Sequence, residues 1–267
     1  MITEVFRLAR SSAYRIAGPI DRIWLRASGK GHLPPLWLRR HTGPVAQFES
    51  AARETAEFLD RLGLVHADDC VLDIGCGAGA MAPEFARRLG PQGRYVGFDV
   101  HAPSIHWCRE HYEKDPRLAF ELAEIATAYS SPSGPAATSF RFPIEEGQAD
   151  LVLAKSVFTH LLAPEAGHYL SETRRALKPG SAAVVTAFLF DASAPELPLV
   201  RRAFPFGDSN GLVRWRLRAR PTAAVAYEQS SFERMVEAAG LRVQWMSPGY
   251  FPGGERLTGQ DTLLLGR

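Results

Sequence analysis

The sequence predicts an α/β fold: a doubly wound, mostly parallel sheet with helices on both faces. Three observations carry this expectation. Strand-like and helix-like stretches alternate from Val45 onward, the order that produces parallel strands joined by helical crossovers. The first strand-like stretch, Val71-Leu72-Asp73-Ile74, runs directly into the glycine turn Gly75-Cys76-Gly77-Ala78-Gly79. Ala182 to Phe190 is a near-continuous apolar run, as expected for a strand covered on both faces.

Residues 1–44 stand apart as a helical arm. They hold eight Arg or Lys against Glu4 and Asp21. Val5, Leu8, Ser12 and Ile16 share one helical face, and Ile20, Ile23 and Trp24 extend a second helix after Gly18-Pro19. Gly29, Gly31, Pro34 and Pro35 then mark a loop. An amphipathic arm packed on the domain, a lid over a site, and a basic helix on a membrane or nucleic acid are all open. The acidic residues and the modest apolar face count against the last.

Val45 to Leu62 repeats apolar residues at three- and four-residue steps and reads as a helix ended by Gly63. Cys70 to Ile74 is the first strand, and Met81 to Leu89 the helix after the glycine turn, with Pro83 tolerated in its first turn. Arg94 to Val100 is the second strand. Pro103 to Lys114 is a helix stopped at Asp115-Pro116, and Leu118 to Leu122 the third strand. Thr127 to Phe140 is rich in Ser, Pro, Gly and Ala and reads as an inserted loop. Ala149 to Lys155 is the fourth strand, and Pro164 to Leu177 a helix stopped by Lys178-Pro179-Gly180. Leu212 to Ala219 alternates apolar residues with arginines, a half-exposed strand that could be one arm of a hairpin. Ser230 to Ala239 is a helix with a Ser230–Glu233 capping box and Gly240 at its end. Leu241 to Met246 and Thr262 to Leu265 are the last strands. The main domain is thus expected over 45–267, with insertions near 125–140 and 191–228 that build a small cap.

Composition narrows the function classes. The chain has 267 residues, a 46% hydrophobic content and a net charge of +2, values of a globular domain with a substantial core. No apolar stretch approaches the ~20 residues that span a bilayer. Met1 to Arg10 carries Glu4 and lacks the apolar centre of a secretory leader, so a cytoplasmic placement is expected. The three cysteines form no C-x-x-C pair, which argues against a disulfide framework and structural zinc. No metal-ligand spacing is visible, and no metal is expected.

The glycine turn points to a ligand. Alternating glycines let the backbone turn tightly and lie against a bound molecule without Cβ atoms in the way. Gly75-Cys76-Gly77-Ala78-Gly79-Ala80 also fits the letters of a dinucleotide fingerprint, with Asp99 at about the spacing of a ribose-binding acid. Asp73 separates the two readings. A carboxylate at the strand exit would repel a pyrophosphate, whereas a ligand with an ammonium and no phosphate suits it. S-adenosylmethionine is such a ligand.

Over Val71 to Gly79 the chain resembles the first motif of the class I S-adenosylmethionine-dependent methyltransferases, V-L-D-[IV]-G-C-G-x-G. The resemblance runs from about Phe48 to the C-terminus. It passes through Gly97-Phe98-Asp99-Val100, Phe142-Pro143, Ser156-Val157-Phe158-Thr159-His160-Leu161 and Leu177-Lys178-Pro179-Gly180. It implies a seven-stranded sheet, S-adenosylmethionine as cofactor and S-adenosylhomocysteine as its product. By the same resemblance Asp73, Gly75, Cys76, Gly77 and Gly79 hold the methionine end of the cofactor. Asp99, with Val100 beside it, takes the ribose hydroxyls, since a carboxylate offers two acceptor oxygens and no donors. Asp99 could equally cap the following helix. Glu124 is the nearest match to the acid that meets the adenine amino group, against a plain surface glutamate. Ser156 should lie at the cofactor edge.

Methyl transfer asks the protein for alignment, a dry pocket and sometimes a base. His160 is the leading base candidate, against a histidine that caps or packs; His101 and Tyr250 are weaker ones. The acceptor is expected to be a small or medium organic molecule, methylated at oxygen before nitrogen before carbon. Its pocket would draw on the arm and on Ala163 to His168, Phe204 to Ala219 and Pro248 to Gly259. Trp37, Phe204, Phe206, Trp215, Trp245, Tyr250 and Phe251 are the aromatics available. No N/D-P-P-Y segment occurs, so nucleic acid is not the expected partner. A dinucleotide-dependent oxidoreductase and a nucleic-acid methyltransferase using the basic arm are the alternatives.

Overall fold

The computed structural model describes residues 17–39, 47–127, 134–191, 206, 208–209, 213–249 and 259–267. The amphipathic segment Val5 to Ile16 and the candidate Tyr250 lie outside these residues. Among the described residues seven helices and ten strands alternate much as expected. The helices are α1 (17–27), α2 (Leu36–Arg39), α3 (Phe48–Arg61), α4 (Ala82–Arg88), α5 (Ala102–His111), α6 (Ala163–Ala176) and α7 (Gln229–Ala238). The strands are β1 (Cys70–Ile74), β2 (Arg94–Asp99), β3 (Leu118–Leu122), β4 (Ala149–Ala154), β5 (Leu177–Phe190), β6 (Asp208–Ser209), β7 (Val213–Trp215), β8 (Val225–Glu228), β9 (Arg242–Ser247) and β10 (Asp261–Gly266).

Seven strands form one path, β3-β2-β1-β4-β5-β10-β9, parallel from β3 to β5 and antiparallel at β10 and β9. Beyond the expected seven, β6, β7 and β8 form a branch. Past Ala187, β5 leaves β10, and Phe188 to Phe190 pair with β8. β7 is antiparallel to β8, so the alternating arginine segment is an arm of a hairpin, though its strand is only three residues long.

The period-two alternation of β1 assigns the layers. Leu72 and Ile74 face one core with α6 and α7, while Val71 faces a second core with α3, α4 and α5. Side chains at odd positions of β1 therefore point towards α3, α4 and α5, and Asp73 is one of them. The chain runs from β1 out to β3, then returns to place β4 on the other side of β1. The switch point between β1 and β4 is where a crevice opens at the carboxyl ends of such strands.

Two local expectations change. Lys178-Pro179-Gly180, expected to stop the helix, already lies within the next strand, because β5 begins at Leu177. Ala149 pairs with Leu177 and Leu151 with Ala182, so the extra residues bulge within the ladder, with Gly180 at φ +81°. The cap of α7 is Glu228 rather than Ser230: its carboxylate accepts from the Ser230 and Ser231 amides at 3.0 and 2.7 Å. A carboxylate at a helix N-terminus also meets the positive end of the helix dipole, and four hydrogen bonds hold its pKa down at about 2.

In the arm, α1 turns Leu25 inward at 3% exposure but leaves Ile20, Ile23 and Trp24 exposed. It is tied to α2 through Asp21, which accepts from the Leu36 amide at 3.1 Å and pairs with the buried Arg39 guanidinium.

Candidate functional site

A cavity of about 460 Å³ opens at the switch point. Its floor is the exit of β1, and its walls come from the ends of β2 and β4, the start of α3 and the inner face of α6. Asp73, Gly75, Cys76, Gly77, Asp99, Val100, Ser156, His160 and His101 all line it. Two of the sequence candidates do not. Glu124 is exposed, because Ala123 and Ile125 on either side of it are buried in the core; Ala126 and Thr127 supply that wall instead. Gly79 faces α5, where an added Cβ would sit 3.1 Å from Cys108 Sγ and from the Tyr112 ring. Its glycine serves close packing of helix on turn.

Asp73 is buried at 3% exposure. Tyr95, on the neighbouring strand and the same sheet face, donates its hydroxyl to Asp73 Oδ2 at 2.6 Å. Gly97, which pairs with Asp73 across the ladder, makes room for this contact: a Cβ there would stand 3.0 Å from the Tyr95 oxygen. Burial pushes the Asp73 pKa up to about 7, with the Tyr95 hydrogen bond and the Lys155 charge opposing and the Asp99 charge adding to the rise.

Asp99 ends β2 and is fixed at both oxygens. Gly77 N donates to Oδ2 at 2.9 Å and His101 N to Oδ1 at 2.8 Å. The N-cap of α5 is His101, so Asp99 receives the cap's amide rather than capping the helix itself. The two preceding amides of the turn are also used: Gly75 N and Cys76 N both donate to Phe98 O, at 2.8 and 3.0 Å.

After β4 the chain turns through Ser156 at φ +62°, a left-handed conformation that a non-glycine residue rarely adopts. Its amide donates to Thr186 Oγ1 at 2.7 Å, the Thr186 hydroxyl donates to Gln260 Oε1 at 2.6 Å, and Gln260 Nε2 donates back to Ser156 Oγ at 3.0 Å. This closed ring holds the turn against Gly75. His160 ends the next short turn, and its Nδ1 lies 2.9 Å from Thr222 O. A carbonyl can only accept, so Nδ1 carries the proton and Nε2 is the basic nitrogen. Burial lowers the His160 pKa, against the carbonyl contact. His101 Nδ1 is 2.7 Å from Ser104 Oγ, a contact within its own helix start.

Sequence reasoning did not single out Tyr95, Lys155, Tyr169, Thr222 or Gln260. The aromatics of the cavity are Phe48, Phe98 and Tyr169. Trp37 meets His101 edge-on from outside, and Trp245 packs on Phe58. Phe204 and Phe251 lie outside the described residues.

The strand order, with its single crossover at β1 and β4 and its antiparallel β10, defines the class I S-adenosylmethionine-dependent methyltransferase fold. Residues 71–180 match the family model described as a methyltransferase domain. A relative from Streptomyces fradiae, an uncharacterized 37.1 kDa protein in transposon TN4556, is 26% identical over 199 residues, 68% of this chain and 53% of its own. The chain spans about half the length or less of the curated relatives it matches. Among solved structures, a SAM-dependent methyltransferase from Aquifex aeolicus superposes with a TM-score of 0.54 at 16% identity, over 85% of this chain and 95% of that one. The mitomycin 7-O-methyltransferase MmcR does so with a TM-score of 0.56 at 18% identity, over 84% and 54%. At these identities the likeness concerns the fold. Among the described residues no helix is long and apolar enough to cross a membrane.

Proposed function

We propose that this chain is an S-adenosylmethionine-dependent methyltransferase acting on a small organic acceptor. The observation that carries the reading is the pair of carboxylates at adjacent strand ends, Asp73 and Asp99, facing one cavity beside a turn whose first three amides are already spent. Those amides are what a pyrophosphate would need, and two carboxylates would oppose it. The arrangement therefore favours a cationic amino-acid end and a ribose diol over a dinucleotide.

When bound, S-adenosylmethionine supplies a methyl group already activated on a sulfonium. In this reading Asp73 receives the ammonium, and Asp99, held by two backbone amides, accepts from the ribose hydroxyls. Gly75 and Gly77, with Cys76, let the backbone approach the ligand, while Val100 and Ala126 border its adenine. Ser156 and Val157 close the cofactor edge. His160 Nε2 takes the proton from the acceptor as the new bond to carbon forms. Tyr169, 3% exposed and lining the cavity, presents its ring and hydroxyl on the acceptor side with Glu165 one helical turn before it. Oxygen is the preferred acceptor atom, as in the 7-O-methyl transfer for which MmcR is named. Residues 1–44 form the arm and 45–267 the catalytic domain, with the cap built near 125–140 and 191–228. A cytoplasmic setting, where the cofactor is available, belongs to the same reading.

Thermal denaturation with added ligands tests it. S-adenosylhomocysteine should raise the melting temperature and NAD(P)H should not; a shift with NADPH alone would overturn the assignment. An acceptor screen that follows S-adenosylhomocysteine release then identifies the second substrate.

A further inference from the structure

Lys155 is a half-buried cation that the reading above leaves without a task. It follows β4 directly. Asp73 pairs with Leu153 in the parallel register, so Lys155, two residues on, projects from the same sheet face as Asp73. Its side chain lines the cavity. Nζ donates to Ala51 O at 3.1 Å and to Thr55 Oγ1 at 2.8 Å, both on α3. An ammonium has three donors, so one N–H is left. No carboxylate among the described residues is in ion-pair contact with it; Asp73 and Glu54 act on it only through space. Burial lowers its pKa. An ammonium partly withdrawn from water without a counter-ion in contact is costly, and a ligand anion would relieve that cost.

We infer that Lys155 is the carboxylate-binding residue of this cavity, its third N–H donating to the carboxylate of the ligand's amino-acid end while Asp73 receives the ammonium on the same carbon. The inference rests on the cofactor reading above. It follows from sign and placement: one face of two neighbouring strands presents an anion and a cation together, and an amino-acid zwitterion carries both charges on adjacent atoms. The two α3 acceptors hold Nζ in place, so the side chain does not have to be ordered on binding.

Calorimetric titration of the full chain tests this with two probes: S-adenosylhomocysteine, and its decarboxylated analogue, which keeps the amine and the nucleoside. Wild-type protein should prefer S-adenosylhomocysteine by roughly ten- to a hundredfold, the range of a charge-assisted hydrogen bond. Lys155→Met should erase that preference by weakening S-adenosylhomocysteine alone, and Lys155→Arg should restore part of it. Melting curves of the free proteins give the folded fraction, so affinities are compared per folded molecule. Equal weakening of both probes in Lys155→Met would overturn the inference and leave Lys155 as a support for α3. Unchanged affinity for both, with a raised KM for the acceptor, would overturn it in favour of an acceptor carboxylate. Wild-type protein that binds neither probe would instead remove the cofactor reading itself.

Discussion

The Tyr95 hydroxyl reaches Asp73 Oδ2 at 2.6 Å across the β1–β2 ladder, over the vacant Cβ position of Gly97. This contact keeps a buried carboxylate from rising further above its pKa of about 7. Only the ionised form pairs with an ammonium. S-adenosylhomocysteine affinity should therefore strengthen as pH rises through 7. Tyr95→Phe removes a donor that stabilises the carboxylate, so its midpoint should move to higher pH. Isothermal titration from pH 6 to 9 reads both curves; superimposable curves would remove Asp73 from the ammonium site.

The same group sets a stability cost. Its pKa is about 7 in the fold against 3.8 for an unperturbed aspartate carboxyl. Between these values the folded chain holds the proton and the unfolded chain has released it. Stability from this group is thus full below about pH 4, falls as pH rises, and levels off above about 7. Asp73→Asn keeps an acceptor for Tyr95 and carries no charge. It should stabilise the ligand-free protein at pH 8 by on the order of 2–4 kcal/mol while abolishing S-adenosylhomocysteine binding. Urea denaturation at pH 5 and pH 8 checks the sign, since the gain should be smaller at pH 5.

Asp99→Ala deletes the acceptors of the Gly77 and His101 amides together with the proposed diol contact. The expected loss of S-adenosylhomocysteine affinity is on the order of 2–4 kcal/mol, with the far-ultraviolet circular dichroism unchanged. Wild-type affinity in this variant would show that the ribose lies elsewhere.

Gly75 has φ +70°, and a Cβ there would stand 2.6 Å from Val157 Cγ2. Gly75→Ala should cost about 1–3 kcal/mol through the clash and the strained backbone together. Adding Val157→Ala should recover the steric part and leave the backbone part. A denaturation double-mutant cycle with no coupling would mean that the two turns do not touch.

His160→Gln should lower kcat about 10²–10⁴-fold with S-adenosylhomocysteine affinity unchanged. Because burial holds the imidazole below its usual pKa, kcat at saturating cofactor should be flat on the alkaline side and fall only on the acid side. Retained turnover would reduce His160 to a packing residue tied to Thr222.

Asp21→Ala strips the carboxylate from Arg39, which is 4% exposed. Loss of about 3 kcal/mol is expected, with cofactor affinity per folded molecule unchanged, as for an arm that packs. Deletion of Met1 to Lys30 should act likewise. A deletion that keeps its melting temperature but loses turnover would make the arm a lid.

The amino-acid sequence by itself determined the order of the elements, the glycine turn, and the positions of Asp73 and Asp99 at strand ends. Those signals are local: period-two and period-3.6 burial, and φ values open only to glycine. Only the tertiary structure decided which side chains share the cavity. Tyr95 and Lys155 reach Asp73 and α3 because strand register aligns one sheet face, and register depends on neighbours distant along the chain. Gln260 lies 104 residues from Ser156 and meets it only because β10 folds back along β5. Glu124 and Gly79 sit where the motif leads, yet one points to solvent and the other into α5. Direction is set by packing on both sides of a residue, and that information is not contained in its near sequence.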